Sequence, residues 1–210
     1  MVLTKDYSRN ELMHFLDIAP LDIEICDVTL RDGEQTPGVV FTREEKIDIA
    51  TELDAIGVEI IESGFPVVSQ TEKEIVKEIA NMGLNSKTCC LARSRVSDVE
   101  TAIECDVDFV SIFIAMSELH LKHKYHKSYE EMFGLAMEAV QYAKDHGLGV
   151  RFAAEDGSRT DIETLKRAFL AAEDYKVNYV SIADTIGILN PSTTYYLVKE
   201  IKKVVKTPVC

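Results

Sequence analysis

Charged and hydroxyl side chains recur directly after short apolar runs that have the composition of buried β-strands. Arg31 and Asp32 follow the first of these runs, and Glu155 follows the fifth. The residues placed in this way after five different runs are Arg31, Asp32, Glu62, Arg93, Glu155, Asp184 and Thr185. Carboxylates and guanidinium groups are typical of sites that bind ions and charged substrates. The sequence therefore predicts a functional site assembled from the ends of several strands.

The apolar runs alternate with longer segments whose hydrophobic residues recur at helical spacing. Strands are predicted at residues 23–28, 58–62, 87–91, 109–114, 149–153 and 179–183. Helices are predicted at residues 43–55, 70–82, 96–104, 129–146, 161–175 and 191–204. Most of these helices open at a Ser, Thr, Asn or Asp that can cap the first turn. Six βα units with strands that are apolar on both faces indicate a parallel sheet covered by helices.

A parallel α/β sheet can be doubly wound or closed into a barrel, and two features favour the barrel. Polar residues occur at the C-terminal end of nearly every predicted strand, where TIM barrels carry their active sites. The first helix is not opened by a G-x-G-x-x-G motif or a P-loop. A doubly wound sheet would instead concentrate its ligand groups at one switch point. The predicted fold is therefore an α/β TIM (β/α)8 barrel.

The barrel is predicted to be incomplete within this sequence, because closure needs eight strands. After the sixth helix, residues 207–210 have the composition of the start of strand seven. We therefore expect a fragment of a longer polypeptide, with about six βα units in a partial catalytic barrel at residues 22–210. Residues 1–21 carry a helical pattern and are predicted to be an N-terminal helical extension that covers the bottom of the barrel.

Composition narrows the class of protein further. The formal net charge is −13 and the pI is near 4.8, which argues against nucleic acid as a partner, because nucleic-acid-binding proteins usually present a basic face. The apolar runs are far shorter than the ~20 residues that span a bilayer, and the polar N-terminus does not resemble a signal peptide. The five cysteines lack a C-x-x-C spacing and are predicted to be reduced thiols. A cytoplasmic protein without membrane or nucleic-acid partners is expected.

Five motifs follow one another at the predicted strand ends. They are residues 27–35 (DVTLRDGEQ) with 36–38 (TPG), 62–66 (ESGFP), 92–93 (AR), 154–159 (AEDGSR) and 183–187 (ADTIG). In this order they resemble the acetyl-CoA-dependent Claisen synthases, which comprise homocitrate, isopropylmalate and citramalate synthases, with the hydroxymethylglutaryl-CoA lyases as reverse-direction relatives. The resemblance covers nearly all residues from 22 onward and is closest to the homocitrate synthases.

The resemblance implies an acyltransferase that condenses acetyl-CoA with a 2-oxo acid with the help of a divalent metal ion, Mg, Mn or Zn. This reaction must enolise a weakly acidic thioester methyl group and polarise a ketone, and both demands are electrostatic. Asp32 matches the metal-ligating acid of the family. Arg31 beside it offers a guanidinium fork that suits an oxyanion on the keto or enolate oxygen, so it is predicted to be catalytic and substrate-binding.

Further site residues are implied by the same resemblance. Glu155 matches an active-site acid that organises the substrates, and it is predicted to be catalytic. Thr185 matches a hydroxyl that binds the carboxylate of the 2-oxo acid. Additional substrate-binding positions are Gln35, Glu62 and Arg93, with a solvated role at the barrel rim as the alternative for each of the three. Asp156 and Asp184 are candidates for orienting their neighbours by hydrogen bonding.

Arg151 bears on the choice of 2-oxo acid. Strand alternation sends Arg151, Ala153 and Glu155 toward the same face. If that face points inward, a cation lies near the substrate tail and can bind the distal carboxylate of 2-oxoglutarate, whereas an isopropylmalate synthase needs an apolar pocket. Leu91 and Ala153 stand where one branch of homocitrate synthases has histidine and serine. The length of the 2-oxo diacid therefore stays open, with isopropylmalate or citramalate synthesis as the alternative.

A basic segment follows the fourth predicted strand. Its residues are His120, Lys122, His123, Lys124, His126 and Lys127. We interpret it as a solvated loop that provides a basic rim for the phosphates of coenzyme A and not as a set of metal ligands.

The His-x-His pair that completes the metal site of the family would lie beyond Cys210. Asp32 alone cannot hold the ion, so this chain by itself is predicted to bind metal weakly and to be inactive. A binding or regulatory remnant without turnover is an alternative of another class, and a hydroxyacyl-CoA lyase is a third. Members of the family usually dimerise, which predicts a homodimer.

Overall fold

The structure is a computed structural model that describes residues 23–210, and the extension predicted at residues 1–21 lies outside them. Six parallel strands form one sheet whose spatial order is their order in the chain. They are β1 (Cys26–Asp27), β2 (Ile60–Glu62), β3 (Lys87–Arg93), β4 (Phe109–Ala115), β5 (Gly149–Glu155) and β6 (Tyr179–Ile182). Each strand pairs with the one before it, so the sheet curls in a single direction. The result is part of a TIM barrel, as the sequence predicts.

Helices cover the outer face of the sheet. They are α1 (Arg43–Ala55), α2 (Gln70–Ala80), α3 (Val96–Glu104), α4 (Tyr129–Asp145), α5 (Ile162–Asp174) and α6 (Pro191–Ile201). The starts of α1 and α4 agree with prediction because each begins with a capping box. The Thr42 hydroxyl accepts the amide of Glu45, whose carboxylate accepts the amide of Thr42. Ser128 and Glu131 make the same pair of bonds at α4.

The strands differ from prediction mainly in length. β1 has two residues instead of six, because Ile23 and Ile25 lie at the open edge of the sheet, where each exposes 58% of its surface. β5 runs two residues further than predicted, since Glu155 still pairs with Ala115 of β4. Polar residues thus continue the ladder at the end of the sheet that carries the predicted site.

The segment predicted as a solvated loop after β4 is helical. A single turn, Glu118–His120, continues as a five-residue π-helix, Leu121–Tyr125. Ser117 caps the turn by accepting the amide of His120, and His126 ends the segment in the left-handed conformation at φ 51°. The loop prediction was therefore wrong for the backbone of this segment.

Residues 207–210 run beside β6 as the start of a further parallel strand. Val209 forms a bridge with Val180, the Cys210 amide donates to the Val180 carbonyl at 2.8 Å, and the Ile182 amide donates to the Cys210 carbonyl at 3.0 Å. This agrees with the predicted start of strand seven.

The main core lies between the outer face of the sheet and the helices. Alternate residues of β5, Val150, Phe152 and Ala154, are fully buried in it. A smaller cluster on the inner face joins Ile60 and Phe109 at the bottom of the partial barrel. All five cysteines are free thiols, as predicted. Among residues 23–210, no helix is long and apolar enough to cross a membrane.

Candidate active site

A cavity of about 420 Å³ opens on the inner face of the sheet at the C-terminal ends of the strands. The predicted site residues that line it are Arg31, Asp32, Gln35, Arg151, Glu155 and Thr185. They come from the loop after β1, from β5 and from the loop after β6. The fold therefore brings together six residues that are up to 154 positions apart in the chain.

Alternation along β5 decides which side chains face the cavity, and position along the strand decides how deep they lie. Arg151, Ala153 and Glu155 all line the cavity, so the face that they share points inward, a direction that the sequence did not decide. Arg151 pairs in register with Ser111 of β4, and Ala153 pairs with Phe113. At about 3.3 Å per residue, Arg151 lies roughly 13 Å below Glu155 along the strand. Arg151 thus belongs to the floor of the cavity and Glu155 to its mouth.

Glu62 lies beneath the cavity and bridges two guanidinium groups. Its side chain is fully buried. Arg31 donates from Nε to Glu62 Oε1 at 2.5 Å, and Arg151 donates from Nη2 to Oε2. Two arginines thus share one buried carboxylate, and Asp32 pairs with Arg31 at the mouth of the cavity. Glu62 reaches the cavity only through its arginine partners.

Residues of three other strands contact the Arg151 side chain: Glu62 of β2, described above, Ser111 of β4 and Cys26 of β1. Arg151 Nε donates to Ser111 Oγ at 3.0 Å, and its Nη1 lies 2.9 Å from Cys26 Sγ of β1. Burial raises the pKa of the Cys26 thiol, and the nearby Arg151 only partly opposes this effect. The guanidinium is therefore fixed in orientation at the cavity floor. Leu91 lines the same cavity, so this part of the wall is apolar.

Asp32 lies at the mouth, where 61% of its side chain is exposed. Its carboxylate pairs with Arg31 Nη1 at 2.6 Å. Within residues 23–210, no group of three or more His, Cys, Asp or Glu side chains is arranged to hold a metal ion. One exposed carboxylate that already pairs with a guanidinium does not make a divalent metal centre. The described residues therefore do not fit a complete metal site by themselves.

Glu155 forms an ion pair that the sequence did not predict. Lys124 Nζ donates to both carboxylate oxygens, at 2.9 Å and 2.7 Å. Lys124 is carried by the π-helical segment after β4, 31 residues away in the chain. Burial lowers the pKa of Lys124, but the hydrogen bonds and charges of Glu155 and Tyr125 together outweigh this effect and leave the pKa above its ordinary value.

Thr185 receives a hydrogen bond from the chain just after Glu155. The Asp156 amide donates to Thr185 Oγ1 at 2.9 Å. Because this oxygen already accepts a bond, the hydroxyl hydrogen is free to donate into the cavity. Asp184 accepts the amides of Leu189 and Ile188, and these bonds lower the pKa of Asp184. The Asp156 amide thus orients the Thr185 side chain, and the Asp184 carboxylate orients the backbone that follows it.

Asp156 is the centre of a buried polar cluster. It is fully buried and has a left-handed backbone at φ 57°. Its Oδ2 lies 2.6 Å from Ser117 Oγ and 3.0 Å from His120 Nδ1, and its Oδ1 accepts Arg159 Nε at 2.7 Å. Burial raises the pKa of Asp156, but the bonds from Arg159 and Ser117 outweigh burial and hold it below its ordinary value. The prediction that His120 belongs to a solvated loop was therefore wrong.

Arg93 lies outside the cavity, although its position in β3 has the inward parity. Asp98 at the start of α3 accepts its Nε at 2.7 Å and its Nη2 at 2.9 Å. This bidentate bond raises the pKa of Arg93. The structure therefore does not bring Arg93 together with the other predicted residues, because a fully formed local partner turns its guanidinium away.

The side chain of Arg93 instead lines a neighbouring cleft of about 780 Å³. Its cationic residues are Arg93, Arg95, Lys124 and Lys127. Phe113 and Lys124 form the boundary, because Phe113 lines both hollows and Lys124 contacts Glu155 of the first. A basic cleft therefore adjoins the cavity on the side of β3 and β4.

Lys46 is a supporting residue that sequence reasoning missed. Only 1% of its surface is exposed, yet Nζ lies 2.6 Å from both Glu34 and Glu72. Glu34 belongs to the loop that carries Arg31 and Asp32. A lysine inside the charged pattern of α1 is normally read as solvated, so the sequence held no signal for this burial. Ser111 was missed, and the pairing of Lys124 with Glu155 was not predicted, because the partners of both residues are distant in the chain.

The fold and the cavity define a partial TIM barrel with a cavity lined by charged side chains at its strand ends. A family model described as HMGL-like matches residues 22–210, and the chain belongs to this family.

Relatives at high identity support the resemblance drawn from the motifs. The chain is 67% identical over 208 residues to the homocitrate synthase AksA of Methanosarcina mazei, covering 99% of this chain and 51% of that protein. It is 50% identical over 190 residues to AksA of Methanothermobacter thermautotrophicus, covering 90% and 49%. A 2-isopropylmalate synthase of Methanocaldococcus jannaschii is 47% identical over 190 residues, covering 90% and 37%. The chain thus spans about half the length, or less, of these curated relatives.

Among solved structures, the hydroxymethylglutaryl-CoA lyase of Bacillus subtilis superposes with a TM-score of 0.78 at 21% identity. The match covers 89% of this chain and 66% of the lyase. At this identity the likeness shows the fold, and it confirms the predicted partial TIM barrel.

Proposed function

We propose that this chain provides the 2-oxo acid site of an acetyl-CoA-dependent homocitrate synthase. The observation that carries the proposal is the cavity in which Arg31, Arg151, Glu155 and Thr185 meet. The 67% identity to a homocitrate synthase over 99% of the chain supports the assignment to this branch of the family. Because the chain spans half of that protein, the activity, the substrates and the partners of the whole polypeptide belong to the proposal.

The position of the two guanidinium groups suits a 2-oxo dicarboxylate. Arg151 at the floor and Arg31 at the mouth both line the cavity, so a guanidinium lies at each end of it to meet a carboxylate. Thr185 can donate its free hydroxyl hydrogen to the carboxylate next to the keto group. The distal carboxylate of 2-oxoglutarate then extends toward Arg151 and Ser111. A volume of about 420 Å³ is within the ordinary range for small-ligand sites.

The condensation removes a proton from the methyl group of acetyl-CoA, and the resulting enolate attacks the keto carbon of the 2-oxo acid. The keto oxygen gains negative charge in this step, and Arg31 at the mouth donates hydrogen bonds that stabilise it. Glu155 organises the substrates where the thioester meets the keto acid. Hydrolysis of the thioester then releases coenzyme A and homocitrate.

A divalent ion, Mg, Mn or Zn, belongs to the proposal with Asp32 as one ligand. Such an ion acts as a Lewis acid when it is bound. The described residues do not complete a centre for it, so binding and orientation of the substrate are the tasks assigned to them.

The basic cleft beside the cavity suits the phosphates of coenzyme A. Lys127 of the segment predicted as a basic rim lines this cleft together with Arg93 and Arg95, while Lys124 at its boundary is paired with Glu155. A thioester whose phosphates lie in this cleft can reach the cavity past Phe113.

A homodimer and a cytoplasmic location stay predictions, and sedimentation velocity tests the first of them.

The experiment measures thiol release from acetyl-CoA with 2-oxoglutarate, 2-oxoisovalerate and pyruvate. It compares this chain with a polypeptide extended at the C-terminus to the length of the relatives. We expect release with 2-oxoglutarate by the extended polypeptide and none by the chain alone. If neither polypeptide releases thiol with any keto acid, the synthase proposal fails.

Isopropylmalate synthesis is the second candidate, because part of the cavity wall is apolar. Phe65, Leu91, Phe113 and Ala153 line it, and a 2-isopropylmalate synthase is 47% identical to the chain. Faster thiol release with 2-oxoisovalerate than with 2-oxoglutarate would favour this candidate. A lyase would instead cleave a hydroxyacyl-CoA, and a binding remnant would bind ligands without turnover.

A further inference from the structure

The helical segment of residues 117–125 contacts the end of β5 at two points, although the paired residues are at least 31 positions apart in the chain. At its start, Ser117 and His120 contact the buried carboxylate of Asp156. At its end, Lys124 contacts the carboxylate of Glu155. The segment therefore contacts the side chains of Glu155 and Asp156, two consecutive residues at the end of β5.

The anchor at Asp156 is rigid. Asp156 accepts hydrogen bonds through both carboxylate oxygens, and its carbonyl accepts the Thr160 hydroxyl at 3.0 Å. Its left-handed backbone turns the chain at the point where β5 ends. The amide of the same residue fixes Thr185. One buried residue thus ties the segment, the end of β5 and the loop after β6 together.

Lys124 is held over the cavity mouth by aromatic rings as well as by charge. Its Nζ lies 5.9 Å from the ring centroid of Phe113 and 5.2 Å from that of Tyr125. These contacts define the direction from which the ammonium reaches both oxygens of Glu155. A carboxylate bound through both oxygens has little freedom to change rotamer.

We propose that Lys124 is the positioning residue for Glu155, and that the segment 117–125, anchored on Asp156, keeps this carboxylate directed into the cavity mouth. The role rests on the proposed function for its kinetic consequences. The geometric part, that Lys124 sets the orientation of Glu155, is independent of any reaction.

The other charged groups of the cavity already have partners, so the orientation of Glu155 depends on Lys124. The other charged side chains that line the cavity are Arg31, Asp32, Arg151 and Asp184. Arg31 and Arg151 are already bound to Glu62, and Asp32 is bound to Arg31. Among the contacts of the described residues, Lys124 supplies the ion pair of Glu155. Without it, Glu155 would be free to turn toward the guanidinium of Arg31 or toward solvent.

The first test is structural and uses the C-terminally extended polypeptide. Crystal structures of Lys124→Met and Lys124→Arg are compared with the unchanged protein. We expect the Glu155 carboxylate of Lys124→Met to move by more than about 0.5 Å or to occupy two rotamers, and that of Lys124→Arg to stay in place. An unmoved, singly ordered Glu155 in Lys124→Met overturns the proposal.

The second test is a double-mutant cycle in kcat/KM with Lys124→Met and Glu155→Gln. If Lys124 acts through Glu155, Lys124→Met lowers kcat/KM about 10- to 100-fold in the unchanged background and by less than about threefold in Glu155→Gln. Equal losses in both backgrounds overturn the proposal, since Lys124 would then act by another route. Lys124→Arg is expected to restore most of the activity.

Lys144→Met is the matched control, because Lys144 lies in the last turn of α4, away from the cavity. It should leave kcat/KM and the position of Glu155 unchanged. A general loss of fold in Lys124→Met would appear as a lower melting temperature, which Lys124→Arg should not show. A wild-type polypeptide without turnover would refute the proposed function, while the crystal structures would still decide the role of Lys124.

Discussion

At the scale of single residues, Glu62 determines how the cavity floor is charged. Its buried carboxylate bridges Arg31, from the loop after β1, and Arg151, from β5. A buried charge that loses its partner is strongly destabilising, because the remaining charge stays out of water. The two guanidinium groups can lie near each other only while the carboxylate lies between them.

Replacing Glu62 by glutamine tests this bridge. Glu62→Gln keeps the shape of the side chain and removes its charge, so we expect the free energy of unfolding to fall by about 2–4 kcal/mol. Urea denaturation at pH 7 measures the change. Glu163→Gln is the matched control, because the Glu163 side chain is 73% exposed and pairs with Lys166 at the surface. A similar loss in both variants would contradict a special role for Glu62.

Arg151 provides a prediction about substrate choice. In the extended polypeptide, Arg151→Met should lower kcat/KM for 2-oxoglutarate about 100-fold and that for 2-oxoisovalerate by less than about tenfold, since only the first has a distal carboxylate. Steady-state thiol release with each acid gives the ratio. Arg93→Met should leave this ratio unchanged, because Asp98 holds Arg93 outside the cavity. An unchanged ratio in Arg151→Met would contradict distal carboxylate binding.

At the scale of elements, α1 and α2 brace the loop that carries Arg31 and Asp32. Lys46 of α1 pairs with Glu34 of that loop and with Glu72 of α2. The second oxygen of Glu72 accepts the amide of Phe65, which lines the cavity. A Cβ atom on Gly64 would lie 2.2 Å from Glu72 Oε1, so this close approach requires glycine.

The brace predicts a specific dependence of stability on pH. Burial lowers the pKa of Lys46, but the hydrogen bonds and charges of Glu34 and Glu72 outweigh burial and raise it above the ordinary 10.5. A raised pKa in the folded state means that the stabilisation is fully present below about pH 10.5 and is lost as the pH rises through the folded-state value. Lys46→Met should therefore cost about 2–4 kcal/mol at pH 7 and less above pH 10.5.

Denaturation of wild type and Lys46→Met between pH 7 and pH 11.5 gives this difference directly. Lys144→Met serves as the control, since Lys144 is half-buried but donates to the neutral side chain of Asn178, and it should show no comparable change. A difference that stayed constant across the range would show that packing, and not the charge of Lys46, provides the stabilisation. Hydrogen exchange at residues 33–35 should also accelerate in Lys46→Met, because the loop loses its anchor.

At the scale of the whole molecule, the sheet formed by residues 23–210 has an edge at β1 and an edge beyond β6. Ile23 and Ile25 are exposed at the edge of β1, and the opposite edge continues from β6 into residues 207–210. Closing a barrel removes both edges and surrounds the cavity with further strand ends. The metal proposal depends on this larger structure, since the described residues contribute Asp32 without a cluster of further ligands.

Measuring metal binding by the 210-residue chain and by the C-terminally extended polypeptide tests whether the metal site needs the larger structure. We expect calorimetry to show Zn²⁺ or Mn²⁺ binding at least about 100-fold tighter in the C-terminally extended polypeptide than in the 210-residue chain. Asp32→Asn in the extended polypeptide should weaken the binding, whereas Asp54→Asn, far from the cavity mouth, should not. Tight stoichiometric binding by the 210-residue chain would contradict the proposal.

The sequence by itself determined the βα order, the starts of α1 and α4, and which residues of β5 share a face, while the direction of that face came from the structure. These features depend on local rules: capping residues define where α1 and α4 begin, and period-two alternation puts Arg151, Ala153 and Glu155 on one side. The motifs likewise placed Asp32 and Thr185 at strand ends. Parallel strands that follow one another in a barrel bring such ends together, so most of the candidate site could be located without coordinates.

Only the tertiary structure decided which partners these side chains take. Arg93 has the inward parity of its strand, yet Asp98 turns it away. Lys124 and Glu155, and Glu62 and Arg151, are 31 and 89 residues apart. His120 is withdrawn from solvent by Asp156. Such contacts depend on how far neighbouring strands and loops are offset in space, and the pattern of residue types along one chain does not encode that distance.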